Sequence, residues 1–370
     1  MLALPGTHVY NASMYSHPDA IVLFSGGLDS ILAAKLLERQ GLSVRCLHFI
    51  SPFFGSPEAV DAWQTTYNLT IATQNVGEEF VAMLCSEPVH GFGKVLNPCM
   101  DCKILLLRAA RRYMEEHDAR FLATGEVLGQ RPMSQRRDAL NVTKRDAGVE
   151  DILLRPLCAQ HLPPTLMEQN GLVDRERLLG LWGRGRTEQL RLAQEWGLAD
   201  IPTPGGGCRL TERENARRYW PLLTRLPKPT AADFALANLG RQFWRCTPEA
   251  AYWLSIGRNS HDNDNLANAV LPGDALLWLR DLPGPLALAR GGAQWPKEVL
   301  LSAASMAASY APKAAGDTVP MCIGHATAQE TVFIAPRRAP EVWTDCAWDA
   351  IKAQLHEKAR IRALRQQKKA

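Results

Sequence analysis

Three groups of residues in this chain have types and spacings that could do chemistry. The first is Ser25-Gly26-Gly27-Leu28-Asp29-Ser30, directly after the apolar run Ile21-Val22-Leu23-Phe24. Glycines let backbone N–H groups approach an oxyanion, and a helix starting there adds its positive end. Ser25 and Ser30 contribute hydroxyl donors and Asp29 a carboxylate. That is the equipment for holding a phosphate chain. No lysine follows the glycines where a Walker A loop needs one, so the turn is of another kind. A Gly-Gly pair alone is ordinary turn geometry. The specific signal is the whole string after a buried strand.

The second group is three cysteines. Cys99 and Cys102 stand in Asn97-Pro98-Cys99-Met100-Asp101-Cys102-Lys103, ahead of a helical pattern through Ile104, Leu107, Arg108 and Arg111. A helix N-terminus favours anionic sulfur, and paired thiolates grip soft metals. Cys208 closes the glycine-rich stretch Pro202-Thr203-Pro204-Gly205-Gly206-Gly207. The chain has nine cysteines and no secretory leader pattern. A disulfide framework is therefore not expected, and metal or redox chemistry is. Three uses remain open on spacing alone: a structural zinc site, which wants a fourth ligand, a redox dithiol, or a three-cysteine [4Fe–4S] cluster. Cys46, Cys85, Cys158, Cys246, Cys322 and Cys346 read as small buried hydrophobes.

The third group is the polar loop Thr124-Gly125-Glu126-Val127-Leu128-Gly129-Gln130-Arg131-Pro132-Met133-Ser134-Gln135, after the apolar run Phe121-Leu122-Ala123. A loop at the carboxyl end of a parallel strand is where open α/β sheets bind ligands. Gly125 permits close approach there, and Gln130 can hydrogen-bond a nucleotide.

Strands are expected at residues 21–24, 44–49, 69–72, 121–123 and 152–154, with amphipathic stretches between them. That alternation predicts a doubly wound parallel α/β sheet. At 370 residues the chain is long for one core, so two domains are expected. The predicted division is a nucleotide-binding domain over 1–225, a linker over 226–241, a smaller α+β domain over 242–340 and a basic helix or tail over 341–370. Forty-two basic against 38 acidic residues give a net charge of +4, compatible with a nucleic-acid partner. No run of apolar residues is long enough to span a membrane, so a cytoplasmic location is expected. In the tail, Lys358 and Arg362 are candidate phosphate contacts, although a solvated helix explains them equally. The sequence carries no signature of oligomeric state.

The first turn resembles the PP-loop of the ATP pyrophosphatase superfamily, whose members split ATP into AMP and pyrophosphate to activate a carbonyl oxygen. The resemblance implies that Ser25, Gly26, Gly27, Asp29 and Ser30 hold ATP, with Asp29 acting through Mg2+. Together with the Asn-Pro-Cys-x-x-Cys-Lys segment and Cys208, it extends to tRNA sulfur-transfer enzymes of that group. The loop from Gly125 through Gln130 is similar to a segment of tRNA 4-thiouridine synthetase. In such enzymes cysteines matching Cys102 and Cys208 are catalytic. Some carry Asp where this chain has Cys99, and those with all three cysteines hold a [4Fe–4S] cluster. The resemblance thus implies an ATP-dependent tRNA thiolase with ATP, Mg2+ and a cluster on Cys99, Cys102 and Cys208, replacing O2 or O4 of a pyrimidine. Sulfide or a separate persulfide donor is the sulfur source. A cluster-free version puts a persulfide on Cys208 and has Cys102 resolve it. Two rivals are a zinc-bearing PP-loop synthetase for a small carbonyl compound and a non-catalytic RNA-binding adaptor.

Further on, Gly257-Arg258-Asn259 with Asn263 and Asp264, a turn at Asp281–Pro285 and an alanine-rich helix ending near Tyr310 resemble the RNA-binding domain of NFACT proteins. The resemblance implies RNA contacts from Arg258 and Asn259. Plain turn chemistry is the alternative for these Asn and Asp residues. The stretch Leu277-Trp278-Leu279-Arg280 departs from the strand ending in His found there.

Overall fold

All five residues of Ala20–Phe24 are buried, and they alternate between two cores. Ala20, Val22 and Phe24 face one apolar cluster with Ile31, Leu32 and Leu36. Ile21 and Leu23 face a second with Ile104, Leu107 and Met114. A strand covered by helices on both faces is the centre of a parallel sheet. The computed structural model describes residues 17–198, 200–202, 207–314, 318–325 and 329–367. The chain forms two compact units, Met1–Gly93 with Pro98–Gly207, and Lys94–Asn97 with Cys208–Ala370.

The first unit runs β1 (Ala20–Phe24), α1 (Leu28–Glu38), β2 (Val44–Ile50), α2 (Val60–Tyr67), β3 (Ile71–Asn75), α3 (Gly77–Cys85), α4 (Cys99–Glu116), β4 (Phe121–Thr124), α5 (Arg137–Ala147), β5 (Leu153–Leu154), α6 (Leu166–Gln169) and α7 (Thr187–Glu195). Its strands lie in the order β3-β2-β1-β4-β5. Every neighbouring pair is parallel. The doubly wound α/β expectation is met, and all five expected strands form. β3 begins two residues later than its apolar run because Asn68, left-handed at φ 46°, ends α2 first. The order reverses between β1 and β4, which opens a crevice at their carboxyl ends.

The second unit runs α8 (Arg213–Arg225), α9 (Ala231–Ala237), β6 (Arg241–Cys246), β7 (Ala251–Ile256), α10 (Ser260–Asn268), β8 (Ala275–Leu279), β9 (Ala287–Arg290), α11 (Lys297–Ala308), β10 (Val319–Gly324), β11 (Gln329–Ile334) and α12 (Trp348–Gln367). Its six-stranded sheet has the order β11-β10-β8-β9-β7-β6. All pairings are antiparallel. Ala303, Ala304 and Ala307 of α11 pack on Leu277, Ala287 and Met321. Small side chains let the helix lie close to the sheet.

The division between units falls earlier than residue 225. Cys208 and α8 go with the second unit because Trp220 of α8 donates to Gln354 of α12 at 2.5 Å and Lys358 lies over the same indole at 5.4 Å. The stretch expected as a linker holds α9, started by a capping box between Thr230 and Asp233. Among the described residues no helix is long and apolar enough to cross a membrane.

Candidate active site at the carboxyl end of the parallel sheet

The turn after β1 is closed by its own side chains. Ser30 Oγ donates to the Gly27 carbonyl at 2.7 Å and accepts from the Ser25 N–H at 3.2 Å. The N–H groups of Ser30 and Ile31 also turn back on the Gly27 carbonyl, at 3.0 and 3.2 Å. The remaining first-turn N–H groups of α1, at Leu28 and Asp29, have no intrahelical acceptor and suit an anion. Gly26 is left-handed at φ +76°, and a Cβ there would lie 2.4 Å from the Trp63 ring. Glycine is required on both grounds. Trp63 packs edge-on against Phe24 and His48. His48 sits between the Phe24 carbonyl at 3.0 Å and the Ser56 N–H at 2.9 Å. Burial pushes its pKa down, so it holds the turn as a neutral ring.

The loop after β4 presses directly on this turn. A Cβ on Gly125 would lie 2.5 Å from the Asp29 carbonyl oxygen and 2.7 Å from the Ser30 nitrogen. Two backbones therefore touch where only glycine fits. Gln130 Nε2 donates to Asp29 Oδ2 at 3.0 Å. The other carboxylate oxygen, Asp29 Oδ1, is buried and has no hydrogen-bond partner. A buried carboxylate oxygen left over is a place for a cation or its water.

The Cys-x-x-Cys segment arrives at the same edge. α4 leads into the parallel strand β4, so its N-terminus lies at the sheet's carboxyl end. Cys99 and Cys102, in its first four residues, share one face and are half-buried. Asp101 anchors the turn by accepting from the N–H groups of Val89 at 2.8 Å and His90 at 2.9 Å. Lys103, beside Cys102, lies 3.5 Å from Glu126 of the β4 loop. Glu126 also accepts from Arg155 at 2.9 Å and Thr124 at 3.0 Å. Burial pushes the Glu126 carboxyl up, but Lys103, Arg155 and these bonds outweigh it and hold it at about 2. The carboxylate is charged at any physiological pH and ties the cysteine helix to the loop after β4.

Cys208 belongs to the second unit and is half-buried. Its carbonyl accepts from the N–H of Thr211 at 3.0 Å and from its hydroxyl at 2.7 Å. The glycines at 205 and 206 lie outside the described residues. Among the described residues no group of three or more His, Cys, Asp or Glu side chains is placed to hold a metal ion. Two thiols one helical turn apart still fit a soft metal by donor chemistry. Of the remaining cysteines, Cys46, Cys158 and Cys322 are buried as expected. Cys85 and Cys246 are exposed, because each is the last residue of its element.

In the second unit, Arg258 grips Asp262 through Nε at 2.5 Å and Nη2 at 3.1 Å. Asn259 caps α10 by accepting from the Asp262 N–H at 2.8 Å. Both thus make local turn bonds. Arg258 keeps 46% of its side chain exposed, enough to meet a further anion. Lys358 is exposed on α12; Arg362 is in the same helix, its side chain outside the described residues.

The sequence reading missed the Lys103–Glu126–Arg155 network, Trp63 and Trp182. Trp182 is 65% exposed. It bridges Leu128, and Gly183 N–H donates to the Leu128 carbonyl at 2.8 Å, two residues from Gln130. His161 packs edge-on at 5.5 Å. The available signal was an indole followed by Gly183-Arg184-Gly185-Arg186.

Residues 15–161 match the family model described as "Thiamine biosynthesis protein (ThiI)". Curated relatives include a probable tRNA sulfurtransferase from Ureaplasma parvum serovar 3, 30% identical over 180 residues, which covers 47% of this chain and 42% of that protein. A second, from Finegoldia magna, is 31% identical over 146 residues, 38% of this chain and 35% of that protein. The chain therefore spans less than half the length of these relatives. Among solved structures, a subunit of tRNA methyltransferase from Methanocaldococcus jannaschii, described as predicted, aligns with TM-score 0.31 and 16% identity, covering 48% of this chain and 76% of that one. The stretch similar to the ThiI family model is the one that carries the glycine turn after β1, the Cys-x-x-Cys helix and the loop after β4.

Proposed function

We propose that this protein is an ATP-dependent tRNA sulfurtransferase. The observation that carries the reading is the convergence, within one compact unit, of a phosphate cradle, an unsatisfied Asp29 oxygen and a thiol pair tied to the cradle's partner loop. Ser25, Gly26, Gly27 and Ser30 hold the phosphates of ATP, Gly125 and Gln130 shape the wall, and Asp29 is the residue suited to Mg2+, which would offset phosphate charge. A pyrimidine carbonyl oxygen attacks the α-phosphorus and pyrophosphate leaves. Sulfide sulfur then attacks the ring carbon, a proton is released, and the original oxygen departs on AMP. Cys99, Cys102 and Cys208 are the sulfur-handling residues. A [4Fe–4S] cluster bound by them would supply a metal-held sulfur. The target base must leave its stack to react. Trp182, exposed beside the Gln130 loop, offers it an indole face. Arg258, Asn259, Lys358 and Arg362, in an NFACT-like RNA-binding unit, would add affinity for the tRNA.

The test incubates anaerobically purified full-length protein with ATP, sulfide and unmodified tRNA. Expected are AMP and a thiolated pyrimidine found by nucleoside mass spectrometry, with iron in the purified protein. AMP formation stimulated by a small carbonyl compound and unaffected by tRNA would sink the reading.

A further inference from the structure

The second unit holds a cavity of about 330 Å³ that none of the chemistry above uses. Its walls include Arg217 and Arg218 of α8, Arg241 and Trp244 of β6, and Tyr310 beyond α11. Arg217 is neutralised: it pairs with Glu214 at 3.0 Å and with Asp345. Arg218 and Arg241 are different. Arg218 donates to the carbonyls of Ala237 and Gly240 at 3.0 and 3.1 Å, and Arg241 to that of Gly257 at 3.0 Å. Among the described residues neither guanidinium pairs with a carboxylate, so each keeps a full positive charge. Arg241 and the exposed Arg338 both lie over the Tyr310 ring, at 4.7 and 4.5 Å. Tyr310 thereby holds two cations together that would otherwise repel.

Two buried donors nearby have no acceptor. Trp244 is 1% exposed and lines the cavity, and its indole N–H is without a partner. Arg225 lies over the Trp244 ring at 5.3 Å, and its Nη1 is likewise buried without a partner. Buried donors are nearly always satisfied in folded proteins. Two carboxylates, Glu214 and Asp345, also line the cavity, and both are drawn to Arg217. Arg218 and Arg241, with the orphaned donors, leave a surplus of positive charge that suits an anion.

We infer that this cavity binds a phosphate group, and that its source is the backbone of an RNA strand laid across Arg218, Arg241 and Arg338. Planar guanidinium forks match phosphate oxygens in pairs. The volume is at the small end of ligand pockets, enough for a phosphate and part of its sugar. The inference stands on this unit alone and does not depend on the reaction proposed above.

The experiment uses the full chain. Binding of a labelled single-stranded RNA and of tRNA is read by anisotropy across a salt series, and inorganic phosphate is added as competitor and as a thermal stabiliser. Expected in Arg241→Gln is RNA affinity weaker by about tenfold and a salt slope flatter by roughly 0.7. Phosphate should raise the melting temperature of the parent protein and not of this variant. Arg241→Lys should restore part of the affinity. Arg338→Gln, at an exposed side chain, covers the case in which Arg241→Gln fails to fold. Phosphate stabilisation lost in the variants with RNA affinity unchanged would overturn RNA as the source. Folded variants that bind RNA and phosphate like the parent would overturn the site altogether. ATP binding without RNA, measured in parallel by the rise in melting temperature, reports separately on the first unit.

Discussion

The phosphate turn of the first unit and the arginine cavity of the second are built from opposite materials. The turn is made of backbone: left-handed Gly26, the Gly27 carbonyl and a Gly125–Asp29 contact with no room for one carbon. The cavity is made of side chains projecting from α8, β6 and the end of α11. A backbone site needs consecutive residues and tolerates little change. A side-chain site can draw its members from anywhere and loses them one at a time. Point substitutions should therefore act as switches in the first region and as graded weakening in the second.

The sharpest test of the contrast is at sulfur. Cys102→Ser should lower thiolation by about 10³-fold or more, while leaving the melting curve unchanged; product is counted by mass spectrometry. Next comes the carboxylate under the site. Glu126→Gln leaves Arg155 without its buried counter-charge and should cost about 3–5 kcal/mol in urea unfolding. In the parent protein the folded carboxyl titrates at about 2 against a usual 4.5. Its contribution to stability is therefore complete above pH about 4.5 and lost as pH falls toward 2, and the variant should show a flatter acid limb. Gly125→Ala, which moves Asp29 and Ser30, should reduce ATP-to-AMP turnover on the order of 10²-fold. A loss no greater than that of Arg241→Gln would erase the distinction drawn here. Trp182→Ala should weaken single-stranded RNA binding by about 1 kcal/mol, roughly fivefold, the low end for a stacking residue and the smallest effect of the series, with Trp182→Phe close to the parent.

The same contrast explains what could be read from sequence. The five parallel strands are short apolar runs between helical patterns, and both glycine-dependent loops are continuous strings, so each announced itself. The Lys103–Glu126–Arg155 network did not, because its members lie far apart in sequence and meet only once α4, the β4 loop and β5 pack. The contact of Arg241 with Tyr310 was invisible for the same reason, although Tyr310 itself marked the end of a helix. The unit boundary was misplaced because α8 reads as an ordinary amphipathic helix; only Trp220 bonding to Gln354 shows which core it joins. Arg258 and Asn259 were noticed for RNA, and the structure gives each a bond within its own turn.

The salt link from Lys103 to Glu126 has a practical corollary for anyone moving this chemistry to another scaffold. A transplanted Cys-Met-Asp-Cys-Lys cassette would arrive without its mooring, since Glu126 and Arg155 lie outside it, in this protein's own interior. Successful grafts should be those that carry the acidic anchor and its arginine along with the thiols.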